Sequence, residues 1–144
     1  MANYNSWTRT NYFKVKDEDA FEDFMSGVYD NEGQEVSVFT KLDANGETEY
    51  AFGCENSIEG ILVKDDEEEP EYSYDKFIRG LQEHLADGHA VIITEVGHEK
   101  LCYLAADAVI VTKFNAKNIK LDDFALKTAR KMLKNSNYHP DCSY

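Results

Sequence analysis

Two stretches of this chain repeat their apolar residues at intervals of three and four, and the segments between them are short β-rich runs bounded by turn formers. That alternation of helix and hairpin signals constrains the fold most. In Asp17 to Tyr29, Ala20, Phe21, Phe24, Met25 and Val28 fall on one helical face, and Glu18, Asp19, Glu22 and Asp23 are left outside. Asp17 is the expected N-cap, and the acids suit the positive end of the helix. From Ser73 to Ala86, Tyr74, Phe77, Ile78, Leu81 and Leu85 recur in the same way, with Ser73 as cap and Gly88 as stop. A third helix is expected from Asp122, as its cap, through Leu133. Phe124, Ala125, Thr128, Ala129, Met132 and Leu133 would face inward, and Lys127, Arg130, Lys131 and Lys134 lie toward its C-terminus.

The strands follow from composition and turns. Asn11 to Lys16 reads as the first, on its β-formers. Glu35 to Leu42 and Glu47 to Gly53 flank Asn45-Gly46, a strong hairpin signal, and Ile58 to Val63 adds a strand. His89 to Glu95, a turn at Val96 to His98, and Lys100 to Ala105 read as a second hairpin. Ala108 to Phe114 reads as a further strand, and these apolar runs are the expected core. Asn118 to Lys120 is a short extended piece. The expected fold is α+β, a mostly antiparallel sheet with about three helices packed on one face. Matching positions Phe21 with Phe77 and Met25 with Leu81 suggest a duplicated unit of one helix and three strands.

A chain of 144 residues with 42% hydrophobic content forms one domain, residues 1–144. Asp65 to Glu71 carries charges and a proline, so a flexible acidic loop is expected at about 64–72, and a loose tail after 135. No apolar stretch nears the roughly 18 residues of a membrane-spanning helix, and Met1 to Thr10 lacks the blocks of a signal peptide, which predicts a cytoplasmic protein. Cys54, Cys102 and Cys142 form an odd set without a CxxC pair, as expected of free thiols.

Charge sets the expected partner. The formal charge is −13, and the acids are concentrated: Asp17 to Asp75 holds 20 acidic and two basic residues, whereas Lys76 to Tyr144 holds eight and ten. Nucleic acid and anionic membranes would meet like charge, so a basic protein is the expected partner. Glu18, Glu22 and Asp23 in the first helix, Glu47 and Glu49 in the hairpin, and Asp65, Asp66, Glu67, Glu68, Glu69 and Glu71 in the loop are the candidate contacts. Carboxylates about 6 Å apart on a helix, or about 6 to 7 Å apart on a strand, would imitate the phosphates of a nucleic acid if they share one face. A solvated helix face with an acidic loop is the plainer alternative.

No phosphate-binding glycine loop, nucleophile elbow or zinc-protease helix occurs, so no cofactor is expected. His139 and Cys142 have metal-like spacing but no second close pair, and no metal is expected. His98, Glu99, Cys102 and Tyr103 could line the mouth of a ligand pocket. Catalysis by Cys102 with His98 as base ranks below that, because residues four apart on a strand stand about 13 Å apart. Most aromatic residues, Trp7 included, are expected in the core or at its edge.

Asn11-Tyr12-Phe13-Lys14-Val15, Phe52-Gly53 with Ser57-Ile58, and Thr94-Glu95-Val96-Gly97-His98-Glu99-Lys100-Leu101 resemble a pattern in small proteins of unassigned activity carried by bacterial conjugative elements and phages. The resemblance spans most of the chain and transfers no catalytic residue. It implies a setting in which small acidic proteins disarm host defence, anti-CRISPR and anti-restriction proteins among them. The resulting expectation is a non-enzymatic inhibitor that occupies the basic nucleic-acid channel of a defence effector, with monomer and dimer both open.

Overall fold

The structure is a computed structural model and describes residues 4–100 and 103–140. In chain order it contains β1 (Asn5–Thr10), α1 (Glu18–Met25), β2 (Val28–Asp30), β3 (Ser37–Leu42), β4 (Thr48–Glu55) and β5 (Ile58–Lys64). Then follow β6 (Glu71–Ser73), α2 (Tyr74–His84), β7 (Val91–Glu99), β8 (Tyr103–Val111), β9 (Ala116–Lys120) and α3 (Leu121–Leu133). Six strands form one sheet in the order β3-β4-β1-β7-β8-β9, and β2-β5-β6 form a small second sheet. All strand pairs are antiparallel, so the chain is an α+β protein as its sequence predicts.

The two amphipathic helices form where their periodicity puts them. Asp17 caps α1 by accepting from the Ala20 N–H at 3.0 Å, and Ser73 caps α2 by accepting from the Lys76 N–H at 3.1 Å. Phe21 and Met25 of α1 and Phe77 and Leu81 of α2 are buried. They meet Phe13, Tyr50, Phe52, Val91, Ile93 and Val111 in one core. Phe21 is its hub, edge-on to Phe13 at 5.6 Å and to Tyr50 at 5.0 Å. Helix α1 stops at Met25, four residues short of the expected end, because Gly27 weakens the helix and Val28 is recruited to β2, pairing with Ile61.

The first strand lies earlier than expected. Asn11–Lys16 forms only isolated bridges, Phe13 with Tyr50 and Val15 with Leu85, and the strand proper is Asn5–Thr10. Its inward residues are Ser6, Thr8 and Thr10, all buried, so it shows no apolar alternation. Two of the three hydroxyls are satisfied: Thr8 donates to the Asn56 carbonyl at 2.7 Å, and Thr10 accepts from the Phe52 N–H at 3.0 Å. The β3–β4 hairpin forms as expected and turns at Gly46, whose φ is +79°.

Val96 to His98 is not a turn. It lies within β7, which runs to Glu99, and one continuous strand, β8, follows where two were expected. Gly97 signals a break in sequence, but here it lets the chain pass beneath Tyr4: a Cβ at this position would run into the Tyr4 ring and the Ser6 Cβ. Phe114 falls beyond β8 and is exposed.

Helix α3 differs from its expected form in two ways. Lys120 occupies the cap position without a side-chain bond, so Asp122 is a first-turn acid and not the cap. No residue of α3 is buried: Leu126 and Ala129 are half-buried, whereas Phe124, Met132 and Leu133 are exposed. The duplicated unit is not reproduced either. Four strands, divided between the two sheets, lie between α1 and β6, and three strands of one sheet follow α2.

Candidate functional site

Helix α1 buries Phe21 and Met25, and the same period places Glu18, Asp19, Glu22 and Asp23 on its exposed side. The helix lies over the β3–β4 hairpin, where the Tyr50 hydroxyl donates to Glu22 Oε1 at 2.9 Å. Glu18, Asp19 and Glu22 therefore line a shallow cleft with Lys41, Leu42, Thr48 and Tyr50, although Lys41 forms no ion pair with the α1 acids. Burial and the adjacent Glu22 carboxylate hold the Tyr50 phenol above its ordinary range, so it stays a donor.

The hairpin acids are not equivalent. Glu47 sits in the turn before β4, and the Lys14 ammonium lies between Asp43 Oδ2 at 2.5 Å and Glu47 Oε2 at 2.6 Å. Glu49 is on the sheet face opposite Tyr50, with Lys41 Nζ at 3.9 Å. Among the described residues, no ion pair reaches the acids of α1 or those between β5 and β6.

Asp65 to Glu69 belong to the turn between β5 and β6, and Glu71 is in β6 opposite Lys64. All except half-buried Asp66, which accepts from the Glu68 N–H at 3.0 Å, are exposed. The Leu62 N–H donates to the Gly27 carbonyl at 2.8 Å, so β5 passes the C-terminal end of α1. Asp65 follows Leu62 by three residues and thus lies within about 11 Å of it. The structure therefore sets the start of the acidic turn near the C-terminal end of α1, whereas Glu18 and Asp19 lie in the first turn of that helix; it pairs Glu47 with a lysine and turns Glu49 away.

Lys14 holds the Asp43 carboxyl down to about 2 from an ordinary 3.8, and the Glu47 and Asn45 N–H groups add to the effect. A lowered folded-state value stabilises the protein above the unfolded value and loses that effect as pH falls through the folded one. Asp43→Asn should therefore lower the melting temperature near neutral pH, and the gap to the unmodified protein should close between about pH 4 and pH 2. A gap of constant size across that range would show that the carboxylate charge is not what matters.

Of the second expected site, only the His98 and Glu99 side chains lie among the described residues. His98 and Glu99 are successive residues of β7 and so face opposite sides of the sheet. Glu99 pairs with Tyr103 in backbone register; the Tyr103 side chain and Cys102 lie outside the described residues, as does Cys142. His98 stands beside Leu104, within the strand. Cys54 is half-buried, and burial, with Asp30 nearby, pushes its thiol up to about 11. It stays protonated at neutral pH, as a packing residue would.

Comparison with protein-family models, curated proteins and solved structures finds no match.

One feature was not legible as a functional signal. Register places Trp7, Phe39, Ile92, Val96, Leu104 and Ile119 on the sheet face opposite the α1–α2 core. All six are exposed, Trp7 at 66% and Leu104 at 56%. The runs His89 to Glu95 and Ala108 to Phe114 read as core because they are nearly all apolar. Only their Val91, Ile93 and Val111 side is fully packed.

Proposed function

We propose that this protein is a non-enzymatic inhibitor that binds the basic nucleic-acid channel of a host defence effector, an anti-CRISPR or anti-restriction protein acting in the bacterial cytoplasm. The observation that carries this reading is the set of exposed carboxylates on α1, Glu18, Asp19, Glu22 and Asp23, which have no lysine or arginine ion pair among the described residues; the acidic turn that begins at Asp65 lies toward the C-terminal end of the same helix. The α1 carboxylates lose no internal ion pair when a basic surface replaces water, so their field is available to steer encounter with a cationic groove. The overall charge of −13 adds to that steering and disfavours direct binding to nucleic acid. Glu47 contributes less than its position in sequence suggests, because Lys14 already compensates it.

The test is plasmid or phage survival in bacteria carrying a panel of active CRISPR and restriction systems. Expression of the protein should protect against at least one of them. Asp23→Lys with Glu67→Lys and Glu68→Lys should remove protection while leaving the melting temperature nearly unchanged, because these side chains are exposed and Glu22, which accepts from Tyr50, stays in place. Binding to the purified effector should weaken steeply between about 0.05 and 0.5 M salt. Protection that survives charge reversal, or affinity indifferent to salt, would reject the acidic surface as the contact.

A further inference from the structure

We infer that the exposed apolar face of the six-stranded sheet, opposite α1 and α2, is the interface with a second copy of this chain. Antiparallel sheets often leave one face to water, but that face is then polar. Here Trp7 pairs across strands with Val96, His98 with Leu104, and Ala108 with Ile119, forming an apolar field from β1 to β9. Phe39 extends it to β3, under the Arg9 guanidinium at 4.2 Å from the ring centre. Exposed apolar fields of this extent on soluble domains mark surfaces that another surface covers.

Two observations select the occupant. The first is area. Six strands about 4.8 Å apart span about 24 Å, and strands of five to nine residues run about 17 to 30 Å. The face is therefore about 600 Å² in outline, near the roughly 800 Å² that each partner contributes to a stable interface. Two such twisted sheets pack face to face at about 10 Å with interdigitating side chains.

The second is charge. In a chain of formal charge −13, this face carries the cations Arg9, Lys41 and Lys117 against the carboxylates Glu49 and Glu55, and Lys41 and Glu49 already pair. It is close to neutral, so it presents neither the field that draws a basic partner nor the one that draws an acidic partner. Two copies can meet here with their acidic ends turned away from the contact. Their net charges still repel, which gives the association a distinctive salt response: added salt screens the repulsion and strengthens it. Binding to a basic partner through the α1 acids responds in the opposite sense, so the two surfaces can be scored separately.

Light scattering on the full chain after size exclusion should give about twice the 16.5 kDa of one chain at roughly 100 µM, with more dimer at about 0.5 M than at about 0.05 M salt. Trp7 is the only tryptophan, so dilution should shift its emission to the red as the dimer separates. Val96→Glu with Leu104→Lys should give a single-chain mass at the same concentration with unchanged circular dichroism, since both residues are exposed. A wild-type protein of single-chain mass at high salt would overturn the inference. So would a dimer that survives the double substitution, or a Trp7 emission indifferent to dilution.

Discussion

Phe21→Ala is expected to cost about 3–5 kcal/mol of unfolding free energy, a large share of the roughly 5–15 kcal/mol that holds a domain of this size together. Phe21 has no exposed surface, and its ring joins α1 to three other segments: Phe13 at 5.6 Å, Tyr50 at 5.0 Å and His84 at 6.2 Å between ring centres. Removing the ring leaves a cavity bounded by the bridge segment, β4 and α2. Those three cannot all move in, because Phe13 is fixed to Tyr50 by two backbone hydrogen bonds of 2.8 Å. Chemical denaturation of the variant should show a midpoint far below that of the unmodified protein, with Phe21→Leu in between. A loss under about 1 kcal/mol would mean that α1 does not rest on the sheet as described. The functional reading shares this dependence, since the carboxylates of Glu18 and Glu22 reach the hairpin only while Phe21 anchors their helix.

Gly60→Ala is the second large effect, expected at roughly 3 kcal/mol or more. Gly60 lies in the middle strand of the small sheet with φ at +141°, a conformation that costs a side-chain-bearing residue about 1–3 kcal/mol. A methyl group there would also stand 2.5 Å from the carbonyl carbon and oxygen of Ser73 and 2.7 Å from the Tyr74 nitrogen. Neither neighbour can yield cheaply, since both are backbone and Ser73 is the cap of α2. The variant should therefore loosen β6 and the first turn of α2 together, which amide hydrogen exchange at Tyr74 to Phe77 would read. Gly46→Ala is the matched comparison: its φ is +79°, but nothing stands within 4 Å of the added carbon, so only the backbone term of about 1 kcal/mol applies. Equal losses at the two positions would contradict the close approach of β5 to β6.

The inhibitor reading and the dimer reading use different parts of the surface. Acids on α1 act through a long-range field and lose strength in salt; the apolar sheet face acts only on contact and gains it. If both hold, the dimer presents two acidic ends.

Local signals in the sequence located the elements that a few neighbouring residues control. Asp17 and Ser73 as caps, the three-and-four spacing of Phe21, Met25, Phe77 and Leu81, and the turn at Asn45-Gly46 all appear in the structure, because each involves residues at most a few positions apart. The concentration of acid in Asp17 to Asp75 was equally plain in the sequence. What tertiary structure decided was pairing over distance. Strand β1 carries Ser6, Thr8 and Thr10 inward and offers no apolar alternation; it is a strand because β4 and β7 flank it, joining Trp7 to both Glu55 and Val96. The fate of Glu47 depended on Lys14, and that of His98 on the continuity of β7 through Gly97. The open sheet face depended on which side α1 and α2 cover. Period two divides a strand into two faces, but when both are apolar only the packing of distant elements determines which one is buried.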